Sequence, residues 1–176
     1  MNRRRVLTAL AGAGLTGGSL WAARNGLGSS AGEGLPVSVE TLAARGSTAG
    51  GARVPAAETV TVVDLFATWC PPCREQMPAL AETHAEYGDR VAFVSVTNER
   101  VGGTLTRDDL REWWRANGGD WTLGLDPESD LLAALGASGI PYLAVLDPSG
   151  TVRWTHGGVA SAAAIGRAVE AALGER

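Results

Sequence analysis

Apolar and β-branched residues form several short runs along the chain, and stretches with helical spacing separate them. Residues 59–66 and 91–96 are runs of strand length, which is typical of central strands that are covered on both faces. Between them, residues 71–87 carry apolar positions at helical spacing, and Gly88 follows as a helix stop. The pattern predicts a strand, a helix and a second strand.

The next segment continues this alternation. Thr106 and Asp109 have the spacing of a capping box and mark the start of a helix. Residues 121–125 then predict a short strand. Asp126 and Pro127 have the chemistry of an N-cap followed by a first helical position, so they predict the start of another helix.

The C-terminal part predicts a hairpin and a last helix. Residues 142–147 and 151–155 flank a Pro-Ser-Gly turn and have the composition of antiparallel strands. Ser161 caps a helix that ends at Gly174. The order β-α-β-α-β-α-β-β-α predicts an α/β layer fold with a mixed central sheet flanked by helices.

The N-terminal region predicts a targeting segment followed by a linker. Residues 1–23 hold an arginine triplet and a glycine-diluted apolar run, the pattern of a twin-arginine signal peptide or of an uncleaved membrane anchor. Residues 24–35 and 45–52 are rich in Gly, Ser and Ala and predict a linker and a loop, with a short edge strand over 35–43. We expect an exported or anchored, extracytoplasmic protein whose folded domain spans 36–174.

The charge distribution argues against a nucleic-acid partner. All 15 basic residues are Arg and the net charge is −4, but from residue 24 onward 12 Arg stand against 19 Asp and Glu, a net charge of −7. An acidic surface of this kind repels phosphate backbones. We expect a monomer that binds no nucleic acid.

The chain has two cysteines, Cys70 and Cys73, in a C-x-x-C arrangement at the predicted start of a helix. The unpaired N–H groups and the dipole at a helix N-terminus favour a thiolate, so Cys70 is the expected nucleophile. Cys73, further inside the first turn, is the expected resolving cysteine. This pattern predicts a redox-active disulfide that needs no other cofactor and no metal.

Two other roles for the cysteine pair fit the sequence less well. Half of a structural zinc site would need two more ligands, and His84 and His156 are not at zinc-finger spacing. Two inert buried cysteines would gain nothing from a helix start that contains Pro71 and Pro72.

The segment from Trp69 to Cys73, after a buried strand and before a helix, resembles the thioredoxin-fold proteins of the exported TlpA/ResA-like branch of thiol-disulfide oxidoreductases. The resemblance implies that Asp64 is a buried proton acceptor for the resolving cysteine, and burial in an apolar strand is expected to raise its pKa. It also implies that Pro141 is cis and that Ile140 offers backbone groups to the substrate. Trp69, Pro71 and Pro72 are expected at the same substrate-binding surface.

The resemblance extends to an inserted helix-strand segment, residues 97–125, which in that family shapes the surface that a partner meets. One departure concerns Gln76, because relatives often carry Glu three residues after the second cysteine. Gln76 is therefore a candidate tuning residue. His156 is a second candidate, because it is expected just after the last predicted strand, in a loop that the resemblance places beside the cysteines.

These observations predict an enzyme that reduces disulfides of exported proteins and is recharged by a membrane electron donor. Two alternatives share the fold. A Sco-like copper chaperone would use both cysteines and a distant histidine such as His156, although that family spaces its cysteines one residue wider. A thiol peroxidase would need a Pro-x-x-x-Thr/Ser-x-x-Cys pattern, and Val63 and Ala67 stand at the first two of those places.

Overall fold

The structure is a computed structural model, and it describes residues 31–174. This part of the chain contains seven strands and four helices, arranged as a mixed sheet with helices on both faces. In chain order the elements are β1 (Val37–Thr41), β2 (Gly50–Val54), β3 (Thr61–Phe66), α1 (Pro71–Tyr87), β4 (Ala92–Thr97), α2 (Arg107–Ala116), β5 (Thr122–Leu125), α3 (Asp130–Leu135), β6 (Tyr142–Leu146), β7 (Val152–Gly157) and α4 (Ala162–Gly174).

The sheet has the strand order β2-β1-β5-β4-β3-β6-β7. Strands β3, β4 and β5 run parallel to one another, and β6 is antiparallel to β3. All six residues of β3 are buried, as the continuous apolar run predicts for a strand that has neighbours on both edges. The predicted mixed sheet is confirmed.

The two faces of the sheet carry separate apolar clusters. Helices α1, α2 and α4 cover one face, where Met77, Trp114 and Ile165 pack together with the cysteines. Helix α3 covers the other face through Leu131 and Leu135. Because side chains alternate along β3, the two faces of that strand contribute to different clusters.

Two sequence predictions about the sheet edge are wrong. The strand β1 is not an edge strand, because it pairs with β2 on one side and β5 on the other. The edge strand on this side of the sheet is β2, whose residues fall partly in the stretch 45–52 that composition assigns to a loop. The glycines of β2 have a low propensity for strands, but the hydrogen bonds of its pairing with β1 form a strand all the same.

The helix starts follow local capping chemistry with one shift. Thr106 caps α2, and its side chain and that of Asp109 form the predicted capping box. Helix α3 begins at Asp130 rather than beside Pro127, yet both carboxylate oxygens of Asp126 accept backbone N–H groups from Asp130 and Leu131. Asp126, the predicted capping residue, thus accepts N–H groups of the first helical turn although it precedes the first helical residue by four positions.

The predicted targeting segment, residues 1–23, and most of the predicted linker lie outside the described residues. Within residues 31–174, no helix is long and apolar enough to cross a membrane.

Candidate active site

The cysteine pair lies where β3 ends and α1 begins. Cys70 is the N-cap residue of α1, and its Sγ accepts a hydrogen bond of 3.2 Å from the backbone N–H of Cys73. The two cysteines form a disulfide, with their Cα atoms 5.3 Å apart. A sulfur that accepts a helix N-terminal N–H group is stabilised as a thiolate when the bond is reduced.

The disulfide is more covered than the sequence suggests. Cys70 is only 4% exposed and Cys73 is 1% exposed, so the sulfur expected at the surface is buried in the oxidised state. The neighbouring Trp69 is 70% exposed, and the prolines between the cysteines are also exposed. An exposed apolar rim therefore surrounds a buried sulfur pair.

Glu99 fixes the turn that carries the disulfide. Its carboxylate oxygens accept hydrogen bonds from the backbone N–H and the hydroxyl of Thr68, both at 2.7 Å, and from the Thr97 hydroxyl at 3.0 Å. Sequence reasoning missed Glu99, because a single acidic residue after a strand has no pattern that separates it from a solvated loop residue. The contact ties the end of β4 to the turn before Cys70.

Asp64 is buried in the middle of β3, with 2% of its surface exposed. Its Oδ2 atom accepts a hydrogen bond of 2.8 Å from Ser95, while Oδ1 is buried without a hydrogen-bond partner among residues 31–174. Burial raises the pKa of Asp64 from 3.8 to about 7, and the Ser95 hydrogen bond works in the opposite direction. The carboxyl group can therefore exchange a proton near neutral pH.

The peptide bond between Ile140 and Pro141 is cis, in agreement with the expectation from family resemblance. Tyr142 pairs with Leu65 in the antiparallel β6–β3 ladder, so the start of β6 lies beside the end of β3, which leads to the cysteines. A groove of about 390 Å³ runs along this edge, lined by Ser138, Gly139, Ile140, Pro141, Tyr142, Gly157 and Gly158. This groove lies at the start of β6, which pairs with the end of β3 that leads to the cysteines.

Gln76 is a buried amide on the same face of α1 as Cys73. Its Oε1 atom accepts the backbone N–H of Ala160 at 2.6 Å, and its Nε2 atom donates to the Ala160 carbonyl oxygen at 3.1 Å. The side chain thus holds both backbone polar groups of one residue in the loop between β7 and α4. An ionised Glu at this position could accept the first hydrogen bond but could not donate the second.

The two histidines occupy different surroundings. His84 is half-buried and contacts the rings of Phe93 and Trp121, with centroids 5.1 and 5.3 Å away. His156 lies within β7 rather than after it, where its ring stacks on Trp154 and its Nε2 atom is 3.3 Å from the Val159 carbonyl oxygen. No group of three metal-ligating side chains occurs within residues 31–174.

Comparisons with known proteins agree with this geometry. The Redoxin family profile matches residues 31–171. The thiol:disulfide interchange protein DsbE of Tatumella citrea is 32% identical over 98 residues, which cover 55% of this chain and 49% of that protein. The chain spans about half the length, or less, of the curated relatives it matches.

Solved structures show the same fold. The structure of MTB dsbF in its mixed oxidised and reduced forms has a TM-score of 0.66 at 23% identity, covering 78% of this chain and 96% of that chain. The pneumococcal exposed lipoprotein thioredoxin Etrx1, from Streptococcus pneumoniae strain TIGR4, has a TM-score of 0.64 at 20% identity, covering 77% and 98%. At these identities the similarity shows the fold.

The mixed sheet, the cysteine pair at a helix start and the neighbouring cis-proline define a thioredoxin-fold protein. The chain belongs to the Redoxin family. The resemblance to TlpA/ResA-like proteins that the sequence suggests is confirmed by these relatives and structures.

The raised pKa of Asp64 predicts a pH-dependent stability difference for Asp64→Asn. Because the folded pKa of about 7 exceeds 3.8, the folded chain keeps a proton that the unfolded chain releases, and stability falls as pH rises from about 4 to about 7. The neutral amide avoids this loss, so we expect the variant to be more stable than the wild type at pH 8, by on the order of a few kcal/mol, with the difference disappearing at pH 4.

Urea unfolding between pH 4 and pH 8 measures this difference, and Asp89→Asn, at an exposed position, serves as the control. Parallel stability curves for Asp64→Asn and the wild type would contradict the raised pKa.

The paired hydrogen bonds of Gln76 predict a pH-sensitive loop in Gln76→Glu. At pH 8 the ionised carboxylate would face the Ala160 carbonyl oxygen, and losing a buried hydrogen bond is expected to lower the hydrogen-exchange protection of the loop amides by about tenfold. At pH 5 the protonated carboxyl regains a donor and restores the protection. The comparison uses protection factors, with Glu75→Gln at the neighbouring exposed position as the control. Equal protection in Gln76→Glu and the wild type at pH 8 would show that the amide does not hold the loop.

Proposed function

We propose that this protein is a thiol-disulfide oxidoreductase that reduces disulfides in exported proteins. The observation that carries the proposal is the Cys70–Cys73 disulfide at the N-terminus of α1, after the end of β3, where the neighbouring strand β6 begins just after cis-Pro141. A vicinal cysteine pair in this position can alternate between a dithiol and a disulfide. The names of the curated relatives, which include thiol:disulfide interchange proteins, support the same activity.

The reaction begins with the reduced enzyme. The Cys70 thiolate, stabilised by the Cys73 N–H group, attacks one sulfur of a substrate disulfide. A bond forms between Cys70 and that sulfur, the substrate disulfide breaks, and the second substrate sulfur leaves as a thiolate. The product is a mixed disulfide between enzyme and substrate.

The second step uses Cys73 and Asp64. The Asp64 carboxylate takes the proton of the Cys73 thiol, and the resulting thiolate attacks the sulfur of Cys70. The Cys70–Cys73 disulfide forms, the mixed disulfide breaks, and the substrate leaves with both sulfurs reduced. Two electrons have passed from the enzyme to the substrate. A pKa of about 7 suits this role, because the carboxylate is available at neutral pH and still has appreciable affinity for a proton.

The substrate segment binds along the groove that leads to the disulfide. Backbone groups of Ile140 pair with the extended segment, since Pro141 has no N–H group and its carbonyl oxygen accepts the Gly158 N–H at 2.8 Å. The exposed rings of Trp69, Pro71 and Pro72 contact the protein around it. Apolar rings and backbone hydrogen bonds suit many substrates, because neither requires a particular side chain.

The proposed location and partners follow from the sequence and from the relatives. Residues 1–23 act as a twin-arginine-like signal peptide or membrane anchor, 24–35 as a linker, and 36–174 as the catalytic domain, which works as a monomer outside the cytoplasm. A reductase outside the cytoplasm is left in its oxidised, disulfide form after each cycle. A membrane electron donor must therefore supply two electrons to the Cys70–Cys73 disulfide. The relative described as an exposed lipoprotein thioredoxin supports an extracytoplasmic location.

The two-step mechanism predicts that Cys73→Ser stops the reaction at the mixed disulfide. With native insulin as the disulfide probe, this variant is expected to accumulate a covalent complex on non-reducing gels, because no thiol remains to release Cys70. The wild-type dithiol resolves the complex and releases reduced insulin chains. Cys70→Ser is the matched control and is expected to form no comparable complex. A complex that forms through Cys73 instead, or none with either variant, would contradict the proposed roles.

A further inference from the structure

A chain of buried hydrogen bonds links the inserted segment to Asp64. The indole Nε1–H of Trp121 donates to Ser95 Oγ at 2.9 Å, and Ser95 Oγ donates to Asp64 Oδ2 at 2.8 Å. Trp121 is 3% exposed, Ser95 0% and Asp64 2%, so water does not compete for these groups. Ser95 is the direct neighbour of Asp64 in the parallel β3–β4 ladder, which fixes the distance between the two side chains.

The chemistry of the three groups fixes the direction of the chain. An indole nitrogen only donates, so Ser95 Oγ must accept from Trp121. The Ser95 hydroxyl has one hydrogen, which points to Asp64. Asp64 Oδ2 is therefore occupied as an acceptor, whereas Oδ1 has no hydrogen-bond partner within residues 31–174.

The cysteines share a face of the sheet with this chain. Val62 and Phe66 alternate with Asp64 along β3, and both belong to the apolar cluster that contains Cys70 and Cys73. Asp64 therefore projects from the face of the sheet that α1 covers, and the active cysteines begin that helix.

We propose that Trp121 and Ser95 are positioning residues for the resolving step: they hold Asp64 through Oδ2 and leave Oδ1 to accept the proton of Cys73. This inference rests on the proposed function. It gives the inserted segment 97–125 a role inside the fold, because Trp121 in that segment donates to Ser95, which in turn donates to the buried acid.

The other groups that the structure describes on this face of the sheet do not donate a hydrogen bond to Asp64 in place of Ser95. The titratable groups of α1 that belong to or contact the same cluster are the cysteine pair, Tyr87 and His84, and His84 contacts the ring of Trp121. Helix α4 contributes apolar residues, and β6 places Leu143 opposite Asp64. Burial and the Ser95 hydrogen bond are the causes that set the pKa of Asp64.

Two substitutions test the hydrogen bonds between Trp121, Ser95 and Asp64. Ser95→Ala removes the hydrogen bond to the carboxylate and is expected to raise the pKa of Asp64 by about one pH unit or more. Trp121→Phe keeps an aromatic ring but removes the N–H group, so the Ser95 hydroxyl is less polarised and the rise is expected to be smaller. The same upward shifts are expected in the pH midpoint for release of the mixed disulfide.

Trp114→Phe is the matched control. Trp114 is buried and packs against Trp121 with ring centroids 5.1 Å apart, but its N–H group donates to the Arg45 carbonyl oxygen at 2.9 Å. This variant removes a buried indole N–H group that takes no part in the hydrogen bonds from Trp121 through Ser95 to Asp64, so the pKa of Asp64 is expected to stay at its wild-type value.

The measurement is a carbon NMR titration of the Asp64 carboxyl group in the full 176-residue chain, together with single-turnover release of the mixed disulfide across pH. The inference would be overturned if the pKa of Asp64 and the pH midpoint of mixed-disulfide release kept their wild-type values in both Ser95→Ala and Trp121→Phe. It would also be overturned if Trp114→Phe shifted the pKa of Asp64 as much as Trp121→Phe does. If the carboxyl titration shifts as expected but the wild-type protein exchanges no disulfides, the hydrogen-bond chain is supported and the proposed function fails.

Discussion

The turn between β3 and α1 is the constraint on which the rest of the site depends. The strand β3 is paired on both edges and fully buried, so its end has a fixed position relative to the start of β6. Glu99 holds Thr68 in the turn, and Cys70 then caps the helix. One short segment thereby places the cysteine pair at a helix N-terminus and at the end of β3, beside the start of β6 that follows cis-Pro141.

Two buried polar side chains near this turn, Gln76 and Asp64, respond differently to pH because of their chemistry. Gln76 is neutral and holds a loop residue by both backbone groups, so its contact does not change with pH. Asp64 is ionisable and buried, and its pKa of about 7 makes it responsive near neutral pH. The family resemblance leads us to expect Glu at this position, and we interpret the Gln as a residue that keeps loop support separate from the proton exchange of Asp64.

Much of the fold was predictable because local signals agree with the tertiary structure. The bounds of α1, the capping box at Thr106 and the hairpin of β6 and β7 all follow from spacing and capping chemistry. The strand β2 was not predictable, because pairing with β1 decides it, and the predicted cap Asp126 was correct although α3 itself begins four residues later. Within the site, the cysteines have a motif, whereas the contacts of Glu99, Ser95 and Trp121 depend on neighbours far apart in sequence.

The reduction potential of the Cys70–Cys73 couple tests the central claim most directly. Equilibration of the purified 176-residue chain in graded thiol-disulfide buffers, followed by thiol trapping, gives the value. A reductase requires a two-electron transition near the thioredoxin end of the scale, at about −270 mV. A value of about −120 mV would make the protein an oxidant and reverse the proposed direction of electron flow. The absence of a two-electron transition would contradict thiol-disulfide exchange through the Cys70–Cys73 pair.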